Sequence, residues 1–296
     1  MKSIIHFLSV VLFLFLCQTH PTLGQTNQRK QYVRVSPGVE LYYVEAGSGT
    51  PIIFIPGSFG TTNFFQKQIA YFSKNYRAIT YDPRGQGQSS KTLENNNYLQ
   101  HGADLKTFMD SLKLKDVILV AHSWGSLAVY AYLRTCGIDN IKAIVFVDAS
   151  PKVIVEQDGE WGQVKSFNDM RIFYNGMGYD RLNATKAFIE PMFTKPLTAT
   201  ETNWFVEEML KTPTHVALLL DYDGTMADFT KEARMIDEKI PVLHVLSDKL
   251  GWTEEGKDWL KKNAPHAKVT AFGLHFMLWE FPDRFNTAVN TFLAED

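Results

Sequence analysis

The chain has 296 residues, of which 45% are apolar and 21% are charged, and its formal net charge is −2. This ordinary globular composition argues against a disordered, collagen-like or coiled-coil chain, and the near-neutral charge offers no basic surface for a nucleic-acid partner. The two cysteines, Cys17 and Cys136, are too few for a disulfide framework.

Residues 1–24 have the three-part pattern of a secretory signal peptide. Lys2 supplies a positive start, an apolar run covers residues 4–16, and small residues precede Gln25. The run is too short for a membrane span, which needs about 20 apolar residues, and the bulky residue before Cys17 disfavours lipoprotein anchoring. We therefore expect cleavage before Gln25, a secreted or periplasmic protein, and no membrane span in the mature form.

Strand and helix patterns alternate along the rest of the chain. A hairpin comes first, with strands at 32–35 and 39–44 around Pro37-Gly38. Apolar runs that suit strands buried on both faces follow at 51–55, 77–81, 117–121, 144–147, 242–246 and, more weakly, 269–272. Helical patterns lie at 66–74, 102–112, 126–135, 255–263 and 282–293. This alternation predicts an α/β fold with a mostly parallel central sheet flanked by helices, and with the hairpin at an antiparallel edge.

One interval, residues 151–238, shows no strand pattern. It is compatible with helices and rich in aromatic residues and methionine. We interpret it as a helical lid inserted after a strand end, where open α/β sheets bind their ligands. The predicted organisation is a signal peptide (1–24), the first part of an α/β core (25–150), the lid (151–238) and the second part of the core (239–296).

The segment 120–126, Val-Ala-His-Ser-Trp-Gly-Ser, joins a buried strand to a helix. This is the strand–turn–helix setting of a nucleophile elbow, in which a sharp turn exposes a serine hydroxyl above the sheet. Small residues two positions before and after the serine, here Ala121 and Gly125, let the flanking backbone pack closely. Ser123 is therefore the predicted nucleophile, and the alternative is a serine that only caps the helix.

A serine hydroxyl is a weak nucleophile unless a base takes its proton. In chains with this kind of elbow, the serine comes first, then the acid, and then the histidine that acts as the base. His275 lies between the last strand and the last helix, so it is the predicted base. The oxyanion that forms during the reaction needs two backbone N–H donors. One comes from the residue after the nucleophile, Trp124, and the other from the loop after the first long parallel strand, where we expect Ser58.

Together these motifs resemble the α/β-hydrolase fold family, of the esterase, haloperoxidase-like and lactonase kind. The segment 82–89, Asp-Pro-Arg-Gly-Gln-Gly-Gln-Ser, resembles the family's Asp-x-Arg-Gly-x-Gly-x-Ser, and His275 with Glu280-x-Pro282 resembles its C-terminal histidine box. Two features differ, since Ala121 replaces the usual glycine and Pro56-Gly57 stands where His-Gly is common. The resemblance covers residues 32–293 and implies a serine hydrolase with a catalytic triad and no cofactor.

The acid of the implied triad has two candidates. In most of the family it follows the strand after the lid, at a position that Leu250 occupies here, and leucine cannot serve. Asp248 lies two residues earlier. Asp148, at the end of the strand before the lid, resembles the arrangement in some dehalogenases and lactonases of this fold. Either carboxylate can orient the imidazole if the fold brings it to His275.

The leading hypothesis is a secreted serine hydrolase that cleaves an ester or lactone bond of a small apolar substrate through an acyl-enzyme on Ser123. The missing acid at position 250 motivates a second hypothesis, a ligand receptor or sensor with vestigial hydrolysis. A third is cofactor-free lyase or perhydrolase chemistry, which uses the same triad. The sequence has no His-Glu-x-x-His motif and no paired cysteines, so no metal site is predicted, and the expected partner is a small-molecule substrate.

Overall fold

The computed structural model describes residues 29–248 and 251–295. The predicted signal peptide (1–24), Cys17 and Leu250 lie outside these residues. In the described part of the chain, eight strands form one sheet: β1 (Arg29–Ser36), β2 (Val39–Ala46), β3 (Pro51–Ile55), β4 (Arg77–Tyr81), β5 (Val117–His122), β6 (Ile141–Val147), β7 (Val242–Leu246) and β8 (Lys268–Ala271).

The sheet is mostly parallel. Its strand order is β1-β2-β4-β3-β5-β6-β7-β8. The hairpin strands β1 and β2 pair antiparallel, and so do β2 and β4, whereas all other neighbours pair parallel. The predicted fold class is confirmed, including the hairpin at one edge.

Helices cover both faces of the sheet. The core helices are α1 (Gln66–Phe72), α2 (Tyr98–Ser111), α3 (Gly125–Cys136), α9 (Thr253–Asn263), α10 (Met277–Glu280) and α11 (Pro282–Ala294). Side chains alternate along β3, so that Ile53 and Ile55 pack with α2 and α3, whereas Ile52 and Phe54 pack with α1 and α11. Burial on both faces explains why the central strands are continuous apolar runs.

Five further helices lie between β6 and β7, in the interval predicted to be a lid: α4 (Phe167–Tyr179), α5 (Arg181–Ile189), α6 (Ala199–Leu210), α7 (Thr214–Met226) and α8 (Thr230–Met235). The pairing found there is limited to two isolated bridges, Lys152 with Asp228 and Ile154 with Val164. Within residues 29–248 and 251–295, no helix has the length and apolar character needed to cross a membrane.

The order of the strands creates a crevice at one end of the sheet. After β3 the chain places β4 on one side of it, and β5 later pairs on the other side. Loops that leave the carboxyl ends of β3 and β5 therefore diverge, which is where open α/β sheets bind ligands. Ser58 follows β3 and Ser123 follows β5, whereas Asp148 follows β6 and His275 follows β8. The topology thus brings four of the predicted site residues to the same edge.

Candidate active site

Ser123 lies in the tight turn between β5 and α3. Its φ of 54° is in the left-handed region, an uncommon conformation for a residue with a side chain. Its backbone N–H donates to the carbonyl oxygen of Val147 at 2.8 Å. The turn requires glycine nearby, because a Cβ on Gly125 would lie 2.5 Å from the carbonyl oxygen of Pro56. This is the geometry of a nucleophile elbow.

His275 and Asp148 form a hydrogen-bonded pair at the same edge of the sheet. The Nδ1 atom of His275 lies 2.6 Å from Oδ2 of Asp148, and Oδ1 accepts the backbone N–H of Ser247 at 2.9 Å. Burial of the Asp148 carboxyl alone would raise its pKa, but the hydrogen bonds from His275 and Ser247 together lower the pKa below its ordinary value. The carboxylate is therefore ionised at neutral pH and able to stabilise a protonated imidazole.

Among the described residues, Asp148 and not Asp248 is the acid that reaches the imidazole. The side chain of Asp248 is exposed, and its backbone N–H donates to the carbonyl oxygen of Gly273 at 3.1 Å. Asp148 has a φ of 49°, which turns the chain sharply at the end of β6. Leu250 cannot supply a carboxylate, and Asp148 supplies one from the end of β6, the strand next to β7.

His122 supports the loop that carries His275. Its Nε2 atom lies 2.8 Å from the backbone carbonyl oxygen of His275, and the two rings are 4.7 Å apart. Burial, with a contribution from the nearby His275, lowers the pKa of His122 to about 3. The ring is therefore neutral at pH 7, and its Nε2–H donates to the carbonyl oxygen. Sequence reasoning gave no signal for this contact, because its partner lies 153 positions away.

The loop after β3 faces the elbow. It contains a turn in which the Gly60 N–H donates to the carbonyl oxygen of Gly57 at 3.0 Å, and Phe59 within it has a φ of 60°. Ser58 and Trp124 both line the cavity that Ser123 and His275 also line. The two residues predicted to supply oxyanion donors therefore lie at the same cavity as the predicted nucleophile and base.

The segment that resembles the family's Asp-x-Arg-Gly motif has a structural role. The carboxylate of Asp82 accepts the backbone N–H groups of Thr62 and Gln88, each at 2.6 Å, and burial raises its pKa to about 6. Arg84 forms a buried bidentate pair with Asp104, with both N···O distances at 2.7 Å. These contacts fix the chain after β4 against α2 and against the short helical turn Thr62–Phe65 that precedes α1.

The cavity has a volume of about 340 Å³ and a mostly apolar wall. Residues from the interval between β6 and β7 supply much of this wall: Gln163, Val164, Met170, Phe173, Phe188, Pro191 and Met192. Asp221 on α7 and Trp252 before α9 also line it. Sequence analysis missed both. A helical pattern does not indicate which face of α7 meets the cavity, and no motif marked Trp252.

Across residues 29–248 and 251–295, no group of three or more His, Cys, Asp or Glu side chains is arranged to hold a metal ion. The thiol of Cys136, at the end of α3, is free and half-buried.

Comparison with known proteins agrees with the fold and the motifs. The alpha/beta hydrolase fold family matches residues 50–218, more than half of the chain. A candidate non-heme chloroperoxidase of Synechocystis sp. is 27% identical over 285 residues, which cover 92% of this chain and 98% of that protein.

Solved structures with the same fold cover most of this chain. A bromoperoxidase from Bacillus anthracis superposes with a TM-score of 0.82 and 25% identity, covering 90% of this chain and all of the other. An esterase from Exiguobacterium antarcticum has the same TM-score and coverage at 21% identity. An enol-lactonase from Burkholderia xenovorans LB400 has a TM-score of 0.74 at 20% identity, over 89% of this chain and all of its own. The chain is therefore an enzyme of the alpha/beta hydrolase fold family, similar in sequence to a candidate non-heme chloroperoxidase and similar in fold to an esterase and a lactonase.

Proposed function

We propose that this enzyme is a serine hydrolase that cleaves an ester or lactone bond of a small, largely apolar substrate, with Ser123, His275 and Asp148 as its catalytic triad. One observation carries the proposal. The buried hydrogen bond between Asp148 and His275, 2.6 Å long, lies at the cavity that Ser123 and His275 line. A serine, a histidine and a buried carboxylate in this arrangement activate a serine hydroxyl for attack on a carbonyl carbon.

The proposed mechanism gives each of these groups one role. Ser123 Oγ attacks the carbonyl carbon of the substrate while His275 Nε2 takes its proton, and the ionised Asp148 stabilises the imidazolium. The negative oxygen of the tetrahedral intermediate accepts the backbone N–H groups of Ser58 and Trp124. His275 then gives its proton to the leaving alkoxide, and an acyl-enzyme remains. Water attacks the acyl carbon with His275 as the base, which releases the carboxylic acid and restores Ser123.

The cavity supports a substrate of modest size. Its volume of about 340 Å³ is near the lower limit of pockets that bind drug-sized molecules. Aromatic and methionine side chains such as Phe173, Phe188 and Met192 line it, and these favour apolar acyl or alcohol groups.

The proposal is tested first by labelling with a fluorophosphonate, which reacts much faster with an activated serine than with other side chains. Wild type, Ser123→Ala, Asp148→Asn and Asp248→Asn are compared, followed by turnover of p-nitrophenyl esters and lactones. We expect no labelling of Ser123→Ala, strongly slowed labelling of Asp148→Asn, and unchanged labelling of the matched control Asp248→Asn. A folded wild type that is not labelled would refute the proposal and favour a ligand receptor on the same fold.

Perhydrolysis is a second candidate activity, favoured by the similarity to a candidate non-heme chloroperoxidase over 92% of the chain. Hydrogen peroxide would replace water as the nucleophile that attacks the acyl-enzyme, so that a peracid leaves instead of a carboxylic acid and Ser123 is restored. Peracid formation from a short carboxylic ester and hydrogen peroxide, lost in Ser123→Ala, tests this activity. Ester hydrolysis without any peracid would exclude it.

We also propose that the protein is secreted or periplasmic. The proposal depends on the pattern at residues 1–24, which lie outside the described structure. Expression of the full chain followed by determination of the mature N-terminus tests it. We expect Gln25 as the first residue, and an uncleaved N-terminus on a cell-associated protein would contradict the proposal.

A further inference from the structure

Asp221 is a buried carboxyl in the wall of the active-site cavity. It lies on α7, only 2% of the residue is exposed, and it lines the cavity together with Ser123 and His275. Its Oδ2 atom is fully buried and has no hydrogen-bond partner in the described residues. Nearly all buried polar groups in proteins are hydrogen-bonded, so an exception at a cavity needs an explanation.

The surroundings of Asp221 do not supply that partner. The Tyr174 hydroxyl donates to the backbone carbonyl oxygen of Asp221 at 2.9 Å, and it also bonds to the hydroxyl of Thr225, so it holds α7 in place without contacting the carboxyl. Arg181 is near enough to influence the carboxyl through its charge. Its guanidinium stacks 4.6 Å from the centre of the Phe59 ring. Burial raises the pKa of Asp221 well above its ordinary value, although Arg181 opposes that effect.

A second polar group in the same wall lacks a partner. The indole Nε1 of Trp252 is buried without a hydrogen bond among the described residues, and Trp252 lines the cavity. An indole N–H can only donate, whereas a carboxyl accepts when ionised and also donates when protonated. A mostly apolar wall therefore presents one unpaired donor and one adaptable carboxyl to the ligand.

The chemistry of these groups selects among ligands. A purely apolar ligand leaves both groups unpaired, which costs free energy for each. An ammonium group can pair with Asp221 but cannot accept from Trp252, and the positive charge of Arg181 opposes it. A hydroxyl group can donate to the carboxylate, accept from the carboxylic acid, or accept from the indole N–H.

We propose that Asp221 is the specificity-determining residue of this cavity and that it binds a neutral hydroxyl group carried by the acyl or alcohol part of the substrate. The inference deepens the proposed function and rests on it. The substrate class is a small ester or lactone with an apolar body and one hydroxyl group away from the carbonyl carbon that Ser123 attacks. Trp252 assists by donating its indole N–H to the same substituent.

The test compares matched substrates that differ by one hydroxyl group. One set varies the acyl part, with p-nitrophenyl hexanoate and octanoate against their 6-hydroxy, 8-hydroxy and 6-amino counterparts. The other set varies the alcohol part, with the hexanoate esters of hexanol and of 1,6-hexanediol. The proteins are wild type, Asp221→Leu, Asp221→Asn and the matched control Asp223→Asn. Asp223 lies on the same helix, and its carboxylate accepts the backbone N–H of Tyr98 at 2.7 Å.

In wild type we expect kcat/KM to be about tenfold or more higher for the hydroxylated member of at least one pair, the effect of one good hydrogen bond. The ratio should fall to about one in Asp221→Leu, stay intermediate in Asp221→Asn and keep its wild-type value in Asp223→Asn. The amino ester should gain less than the hydroxy ester. The proposal would be overturned if the ratio of kcat/KM for hydroxylated over plain substrate were near one in both wild-type sets, or if Asp221→Leu kept the wild-type ratio. The carboxyl would then bind an ordered water molecule only.

Two further measurements distinguish a failure of this proposal from a structural role of Asp221 and from a failure of the proposed function. Because an unpartnered buried carboxyl destabilises the fold, Asp221→Leu should not lower Tm, and a fall of many degrees would show a structural role instead. If wild type hydrolyses no ester, the proposed function fails, and binding is measured in Ser123→Ala by calorimetry. Methyl 6-hydroxyhexanoate should then bind about tenfold more tightly than methyl hexanoate, and equal affinities would refute the role of Asp221.

Discussion

The replacement of Asp148 by asparagine should reduce hydrolysis by about 10⁴-fold in kcat. The structure explains why so small a change has so large an effect. The backbone N–H of Ser247 donates to Oδ1 of Asp148 at 2.9 Å, and His275 Nδ1 lies 2.6 Å from Oδ2. An amide has one oxygen and one NH₂ group, so its oxygen must face Ser247 and its NH₂ group must face the imidazole.

An NH₂ group at that place makes His275 Nδ1 the acceptor and puts the ring proton on Nε2. The imidazole then cannot take the proton of Ser123, and no carboxylate stabilises the imidazolium. The loss of about 10⁴-fold corresponds to ~5 kcal/mol of activation free energy.

Steady-state hydrolysis of a p-nitrophenyl ester at pH 7 measures this effect, with Tm as the check on folding. The matched control is Asp248→Asn, an acid-to-amide change in an exposed side chain after the neighbouring strand. A folded Asp148→Asn enzyme that keeps more than a tenth of wild-type kcat, or a loss in Asp248→Asn instead, would refute the assignment of the acid.

Three further predictions follow from buried groups. His122→Ala leaves the buried carbonyl oxygen of His275 without its 2.8 Å hydrogen bond. The variant should lose about 1–3 kcal/mol of stability, and its kcat should fall more than its KM changes. Activity and Tm equal to those of wild type would contradict the positioning role. Arg84→Leu leaves the Asp104 carboxylate in the core without its cation, since their exposed side-chain fractions are 4% and 3%, and with the Gln100 amide as a remaining donor at 3.0 Å. It should cost about 3–5 kcal/mol in urea unfolding at pH 7, and a loss below about 1 kcal/mol would contradict a stabilising role for the ion pair. The folded-state pKa of Asp221 lies above its ordinary value of 3.8, so the folded protein binds more protons than the unfolded one. This carboxyl should therefore make the free energy of unfolding fall as pH rises from about 4 to that higher value. The fall should be absent in Asp221→Asn, and plots of unfolding free energy against pH that run parallel for the two proteins would show an ionised, partnered carboxyl.

The candidate site residues that sequence reasoning could predict are those whose positions depend on local chain geometry. Ser123 was identifiable because its turn, with Gly125 two positions later, is a property of one short segment. His275 was identifiable because chain order places the base after the last strand. Asp148 and Asp248 could not be distinguished, because each follows a parallel strand and the two strands are neighbours in the sheet. Only the turn after β6 determines which carboxylate reaches the imidazole.

Asp221 shows the limit of such reasoning more clearly. In the sequence it is one acidic residue in a helical pattern, where exposed acids are common. It is buried because α7 packs against α4 through the hydroxyl of Tyr174, 47 positions away. No pattern in a short segment predicts a contact between positions that far apart. Asp221, the residue that we propose selects the substrate, therefore has no signal in the sequence.

The separation of the site residues along the chain has a consequence for folding. Asp148 and His275 are 127 positions apart, and His275 follows the edge strand β8, which pairs only with β7 among the described strands. An intermediate that has formed β3, β5 and the turn at Ser123 but has not docked β8 lacks the hydrogen bond between His275 and Asp148. Contacts between such distant positions form late, because closing long loops is entropically costly. Return of the proposed hydrolytic activity during refolding should therefore report the docking of the C-terminal edge, and it should lag behind the burial of Trp124 beside Ser123.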